Sequence, residues 1–582
     1  MKKSFTERSI ALAAVGYFCT AIFHVPDNYF EHVFDRTAPL QFLTLILVAS
    51  LFAVAIAINS SRFNFSRYAV YGLLAVATFT LISAATSGNV IGSLYGDAGR
   101  FAGFLSLAAL IIVAIFHSQF KILAFRKLLL CYIATVEIVA LLGIIQHFKW
   151  LTFPGAGGVS STLGNTDFFA AYLGTTFPLL FLLAINGSKK LRIFLGGATA
   201  LNCIAIYFAG PLQAYVDIAI TIVGVIIYLA RTKIHRFTWT LNARTFLGTA
   251  AVVIWAEFIF LMPFLGNMIP VLGNDIQVKI RGNFWIAGIK QFFAHPYFGV
   301  GPDQYGNFYE QYRTLNDLKS FPDILSNDAH SASVQTLATL GIFGSLAFLF
   351  FIALLIRSIL IIWDRRIIDR RTLFAFSLFI FTYLTNSFVS PITLTNKYLF
   401  WAVGGFLVGQ VYRKRQKLSI QRVGIRVVAL TSSTLLIVAS VFFIQGQLNY
   451  MTHVEQYAKD NRPLIDYTPS PVLPCFMYFD AEALMLNSQG NQAVLDLATN
   501  ELASNPRCVS ANIVFAKYAV ATGDIDSLKS YAYRLHEIAP ARGKSIEYGM
   551  YYATKAGDQG LYDAISKIMK ELDLIYIPGS TS

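Results

Sequence analysis

The chain has 582 residues, of which 55% are apolar and only 13% charged, and it carries a formal net charge of +14. Soluble domains carry about 25% charged residues, so the composition excludes an ordinary water-soluble protein. The excess base does not point to nucleic acid, because it is gathered in short segments between apolar runs.

Apolar runs long enough to cross a hydrocarbon core of about 30 Å recur through the first three quarters of the chain. Thirteen spans are expected, at 9–23, 40–58, 69–86, 101–118, 128–147, 165–186, 194–209, 214–230, 246–264, 334–360, 373–389, 397–411 and 427–445. The predicted class is therefore an all-α polytopic membrane protein. Asp217 interrupts the eighth span and is expected to face protein rather than lipid. Met1-Lys2-Lys3 before the first span resembles a signal peptide, but no small-residue cleavage site follows, so the span is read as retained. Basic clusters alternate with the spans: Lys189, Lys190 and Arg192; Arg231, Lys233, Arg236 and Arg244; Arg365, Arg366, Arg370 and Arg371; and Arg413 to Arg426. The intervening connections carry scattered cations such as Arg36, Arg100, Lys149 and Lys397. This bias predicts a cytoplasmic N-terminus, and an odd number of spans then puts the C-terminus outside.

Two connections are long. Residues 265–333 form a large outer loop inside a transmembrane domain of residues 1–445, and residues 446–582 form an extracytoplasmic tail. In the loop, Trp285, Ile289, Phe292 and Phe293 share one helical face, which suits a helix lying flat at the membrane surface. His295-Pro296 ends that helix, and Gly299-Val-Gly301-Pro302 makes a turn. In the tail, Gly490, Gly523 and Gly557 recur at intervals of 33 and 34, and Pro506 and Pro540 are 34 apart. Paired helices at that period suggest a tetratricopeptide-like repeat, a surface for a protein partner or a lid; a generic helical-hairpin domain is the alternative. Cys19, Cys131 and Cys203 lie in spans and are read as core packing. Cys475 and Cys508 lie in the outer tail, where a disulfide persists, although spacing alone does not bring them together.

Few residues suit chemistry. Arg281 is read as opening the loop helix, where helix amides and a guanidinium together suit a diphosphate; the alternative is an arginine meeting lipid headgroups. His330 is a candidate general base, with Asp328 two residues away to orient the ring; the alternative is a capping or interfacial histidine. Arg100, among glycines before the fourth span, is a second candidate phosphate ligand or an interfacial anchor. Gly164-Asn165 before the sixth span is read first as a helix cap. Phosphate-binding glycine loops, metal-ligand spacings and nucleophile elbows are absent, so no cofactor or metal is expected. The cytoplasmic loops are too short for a nucleotide-sugar domain, which leaves an activated substrate taken from the membrane.

Several of these segments together resemble the O-antigen ligase and polymerase superfamily, which includes protein O-oligosaccharyltransferases. They are Gly164-Asn165, His295-Pro-Tyr-Phe-Gly-Val-Gly301, Asp328-Ala-His330 through Leu340-Gly341-Ile-Phe-Gly344, and Phe400-Trp401 with Gly404-Gly405. The resemblance covers about residues 90–410. It implies a metal-independent, inverting glycosyltransferase of a bacterial cytoplasmic membrane. Such an enzyme takes glycan from a polyprenyl-diphosphate donor to a glycan, lipid or protein acceptor. His330 to Gly341 matches the family's His-ten-Gly motif, which makes His330 the base. Arg281 matches an Arg-three-Leu motif in which Trp285 replaces leucine. Gln213 stands where relatives carry an arginine, which leaves one diphosphate contact missing or supplied by Arg100. A flippase for a lipid-linked sugar is the reading from another class; it leaves the large loop unexplained.

Overall fold

A computed structural model describes residues 2–22, 38–58, 67–97, 99–151, 153, 158–186, 188–230, 240–265, 275–322, 324–412, 422–460 and 491–574. The regular structure of the described residues is helical throughout. Among the described residues, eight helices are long and apolar enough to cross a membrane: Ala38–Ile58, Ala69–Thr86, Ile122–His147, Lys189–Ala209, Leu212–Ala230, Leu241–Phe264, Ala332–Arg365 and Val423–Gly446. The other five expected spans fall on helices Lys2–Ile22, Phe104–His117, Thr166–Asn186, Arg370–Ser387 and Leu394–Tyr412. Of the thirteen expected spans, eight thus have the length and hydropathy of a membrane span among the described residues. Phe104–His117 has only 14 residues, and Lys2–Ile22 carries Lys2, Lys3, Glu7 and Arg8 in its first two turns.

The chain divides into two compact units. The first comprises Met1–Thr78, Gly99–Ile259 and Ser345–Ser440. Within it, Leu394–Tyr412 crosses Phe104–His117 closely. A Cβ on Gly405 would lie 2.6 Å from Ala114 Cα, and one on Gly409 would lie 2.7 Å from Ser118 Cα. Two glycines four apart let backbones touch where lipid supplies no hydrophobic drive, so dispersion and close fit hold the helices together. Asp217 is 1% exposed and takes a hydrogen bond from Asn386 Nδ2, so it faces protein as its charge requires. Cys131 and Cys203 differ from the expectation: both are exposed on helix surfaces rather than packed inside.

The second unit comprises Phe79–Ala98, Phe260–Gly344 and Val441–Ser582. Its loop segment holds three helices, α1 (Ile276–Ala294), α2 (Tyr305–Tyr312) and α3 (Leu315–Ser320), followed by the start of α4 (Ala332–Arg365). Helix α4 is broken at Gly341, where φ is +64° and ψ −165°. The turn after α1 satisfies the break. Val300 and Gly301 amides donate to the carbonyls of Ala338 and Thr339, both at 3.0 Å, and the Ile342 amide donates to the Pro296 carbonyl at 2.8 Å. Ser83 Oγ also donates to the Thr339 carbonyl at 2.8 Å. A helix break inside the protein persists only when its released, buried backbone groups are paired in this way.

The tail contains helices α5 (Asn491–Ser504), α6 (Val509–Thr522), α7 (Ile525–Ile538), α8 (Gly543–Ala556) and α9 (Gln559–Leu572), each of 14 residues. The period arises from one turn used twice. Gly523 and Gly557 end α6 and α8 in the left-handed region, and the next residues, Asp524 and Asp558, cap α7 and α9. Leu528, Ala532, Leu535, Ile546, Leu561 and Ile565 form the hairpins' core. Cys508 is disulfide-bonded; Cys475 and Gly490 lie outside the described residues.

Candidate functional site

His330 occupies a tight polar turn before α4, with φ at +53°. Asp328 makes that conformation affordable: its Oδ1 accepts the His330 amide at 2.6 Å, an Asx-type turn that tolerates a left-handed residue. The contact that Asp328 makes with the ring is through its backbone carbonyl. His330 Nδ1 lies 2.9 Å from the Asp328 carbonyl oxygen, and Ser326 Oγ donates to the same oxygen at 2.6 Å. A carbonyl only accepts, so Nδ1 carries the hydrogen in this bond, and in the neutral ring the lone pair is then on Nε2. The imidazole therefore has the tautomer of a base acting through Nε2. Gln335 Oε1 fastens the turn by accepting the Ala329 amide at 2.8 Å.

Helix α1 forms the wall opposite. The Phe284 ring lies 5.0 Å from the His330 ring. A Cβ on Gly288 would stand 2.5 Å from Val334 Cγ1 and 3.7 Å from Ala329 Cβ, so α1 and the first turn of α4 lie against each other. Arg281 precedes Phe284 by three residues and shares its helical face; it is half-buried. Its position differs from the expectation. The helix begins at Ile276 and is capped by Asp275, whose carboxylate accepts the amides of Gln277 and Val278. Arg281 thus sits beyond the first turn, where the dipole is no longer felt, and any anion binding rests on the guanidinium itself. Of the face expected from periodicity, Trp285 is buried, Ile289 and Phe292 are half-buried and Phe293 is exposed, so the helix packs through a different set of positions. Ile280, Phe284, Trp285, Ala287, Gly288 and Gln291 are buried, whereas Phe293 is 74% exposed. Trp285 stacks on Phe260 at 5.6 Å, and its Nε1 has no hydrogen-bond partner among the described residues.

Two features of the loop escaped sequence reasoning. Arg313 and Asp317 form a buried ion pair at 2.8 Å, and Tyr309 Oη donates to the same carboxylate at 2.9 Å. Arg313 Nη2 also donates to the Phe321 carbonyl at 2.7 Å, so the charge is satisfied as burial demands. Thr314-x-x-Asp317 is a capping pattern, and Thr314 Oγ1 does accept the Asp317 amide at 3.1 Å; that signal was available. The tail's docking on α2 carried no local signal. Arg507 lies 3.9 Å over the Phe308 ring and donates to Gln311 Oε1 at 2.6 Å. Arg542 pairs with Glu310 at 3.2 Å.

The first unit holds the remaining sequence candidates. Gly164 ends the 3-10 turn Ser161–Leu163 with φ at +77°. Asn165 Oδ1 accepts the Asp167 amide at 2.7 Å, the capping arrangement that its type favours. Gln213 donates to the Asp167 carbonyl, which ties two helices together. Arg100 lies half-buried in a turn before Phe104–His117.

A stretch containing Gly164, Gln213, Arg281, His330 and Gly341 together, residues 160–349, matches the O-antigen ligase family. The chain carries an O-antigen ligase domain. The match includes the broken helix and the His330 turn, and leaves Arg100 and the tail outside it. No curated protein matches the chain. The family match covers about a third of the chain, and among the described residues eight helices are long and apolar enough to make this a multi-pass membrane protein.

Within the loop of this domain, His295 meets Phe308 edge-on at 5.5 Å. Burial, and then the Arg507 charge, lower its pKa below the ordinary 6.5. The unfolded chain therefore binds more protons than the folded one just below pH 6.5, and stability falls as pH drops through that range. Burial shifts His536 in the same direction. Thermal unfolding of the purified protein is expected at lower temperature at pH 5.5 than at pH 7.5. His295→Gln should remove part of that slope, and adding His536→Gln should remove more. An unchanged slope in both variants contradicts this assignment.

Proposed function

We propose that the chain transfers a glycan from a polyprenyl-diphosphate donor to an acceptor hydroxyl at the outer face of a bacterial cytoplasmic membrane. The observation that carries this reading is a histidine fixed as the Nδ1–H tautomer, facing a helix whose arginine lies one turn away, inside an O-antigen ligase domain. His330 Nε2 takes the acceptor proton as the acceptor oxygen forms its bond to the anomeric carbon. The bond from that carbon to the diphosphate oxygen breaks, and the diphosphate departs with the electron pair. A single displacement of this kind inverts the anomeric centre. Arg281 holds the diphosphate and offsets the charge that develops on it. Gathering donor and acceptor at one interface supplies much of the rate gain by orientation. The outward orientation is supported by the basic inside segments and by the disulfide at Cys508, which suits an oxidising compartment.

Purified protein in liposomes, given a polyprenyl-diphosphate glycan and an acceptor lipid, is expected to make a new covalent glycoconjugate. Movement of donor between leaflets without a new product would replace this reading with a flippase. In the same assay, Arg281→Ala should raise the donor KM by about 10- to 100-fold, the worth of one charge-assisted contact. Arg281→Lys should recover only part of it, because an ammonium lacks the bidentate fork.

A further inference from the structure

The tail touches the loop at one face of α2, while the opposite side of α2 holds the wall of the His330 turn. Arg507 grips residues 307, 308 and 311. Its guanidinium covers the Phe308 ring at 3.9 Å, Nη2 donates to Gln311 Oε1 at 2.6 Å, and Nε donates to the Asn307 carbonyl at 3.3 Å. A planar fork that stacks and donates in two directions fixes orientation as well as distance. Arg542 pairs with Glu310 on the same helix at 3.2 Å. The ion pair between Lys319 and Asp573, at 3.5 Å, is exposed and contributes little.

The other residues of α2 reach inward. Tyr305 Oη donates to the Phe284 carbonyl at 2.7 Å. The Tyr309 ring meets the Phe284 ring edge-on at 5.5 Å, and Tyr309 is locked by Asp317 and by the guanidinium of Arg313, 5.3 Å from its ring. Phe284 in turn lies against His330. An eight-residue helix has too little internal structure to hold such a position unaided. It is held here between the tail on one side and α1 on the other.

We propose that Arg507 is a positioning residue for His330: by fixing α2 it fixes Phe284, and so the plane of the imidazole. This assigns the hairpin tail a part in the reaction itself, in addition to any partner it recruits. The catalytic half of the inference rests on the transfer reading above; the mechanical half does not.

The test uses the full-length protein in lipid nanodiscs, as wild type, Arg507→Gln and Arg507→Lys. Hydrogen exchange of peptides over residues 326–333 and 543–572 is measured beside transfer from a polyprenyl-diphosphate glycan. Arg507→Gln should speed exchange at 326–333 while 543–572 stays protected. It should also lower kcat about tenfold with the donor KM within about twofold, since a misplaced base costs turnover rather than binding. Arg507→Lys, which keeps the charge over Phe308 but not the fork, should fall between. Unchanged exchange at 326–333 overturns the proposal, as does a kcat loss accompanied by general unfolding of 543–572. If 326–333 loosens while the wild type itself transfers nothing, the coupling stands and the transfer reading falls.

Discussion

His330→Asn is expected to lower glycan transfer by about 10²- to 10⁴-fold, the usual worth of a positioned general base, while donor binding stays near that of the wild type. Asparagine is the informative replacement. His330 sits at φ +53°, a region that asparagine tolerates better than other non-glycine residues, so the backbone turn survives and the base is lost. His330→Ala removes the same base but adds strain, and its thermal stability should drop where that of His330→Asn does not. Single-turnover transfer at saturating donor separates chemistry from binding. Full transfer by purified His330→Asn would remove the histidine from the mechanism and leave proton transfer to another group. The expected size of the effect follows from the geometry: the Asp328 carbonyl fixes which nitrogen accepts, and Phe284 fixes where it points.

The spacing from His330 to Gly341 stood out in the sequence, and the structure supplies its physical content. His330 closes an Asx turn, a short helix follows from Ala332, and Gly341 breaks that helix where residues 296–301 supply its missing partners. Two motifs that looked independent, His295 to Gly301 and Gly341, are two sides of one backbone contact. Sequence periodicity located α1 but misjudged its face. Trp285 and Phe293 are both apolar, and only packing shows that one is buried and the other exposed. The start of α1 was misplaced by five residues because Arg281 attracted attention while Asp275, an ordinary capping residue, did not. Tail periodicity was legible because a glycine followed by an aspartate makes the same turn twice. The clamp on α2 was not, since Arg507 and Asn307 are 200 positions apart and neither belongs to a pattern that announces the other.

Gly341→Ala is expected to be among the most destabilising single-methyl additions in the chain, by more than about 3 kcal/mol. At φ +64° and ψ −165° the backbone lies in a region that is essentially restricted to glycine, and another residue there costs about 1–3 kcal/mol in strain alone. The added Cβ would also stand 2.6 Å from the Phe298 amide nitrogen and closer still to the Tyr297 carbonyl. Those atoms are backbone, so no rotamer relieves the clash. The 296–301 turn would have to move away, releasing the bonds it makes to Ala338, Thr339 and Ile342, at a contact where Val300, Ala338 and Thr339 are buried and an unpaired backbone group is costly. Gly404→Ala is the matched control: its Cβ would meet only Leu355 methyls at ordinary contact, 3.9 Å away, and alanine inside a helix is favoured over glycine by about 1 kcal/mol. Thermal unfolding in detergent should therefore show Gly341→Ala far below the wild type and Gly404→Ala level with it or slightly above. Gly299→Ala probes the contact from its other side, because its Cβ would come within 2.5 Å of the Leu340 amide nitrogen. Once either methyl has separated the two backbones, the second has less left to disrupt. The double variant should thus be less destabilised than the sum of the singles, and strict additivity would show that the turn and the break are not one structural element.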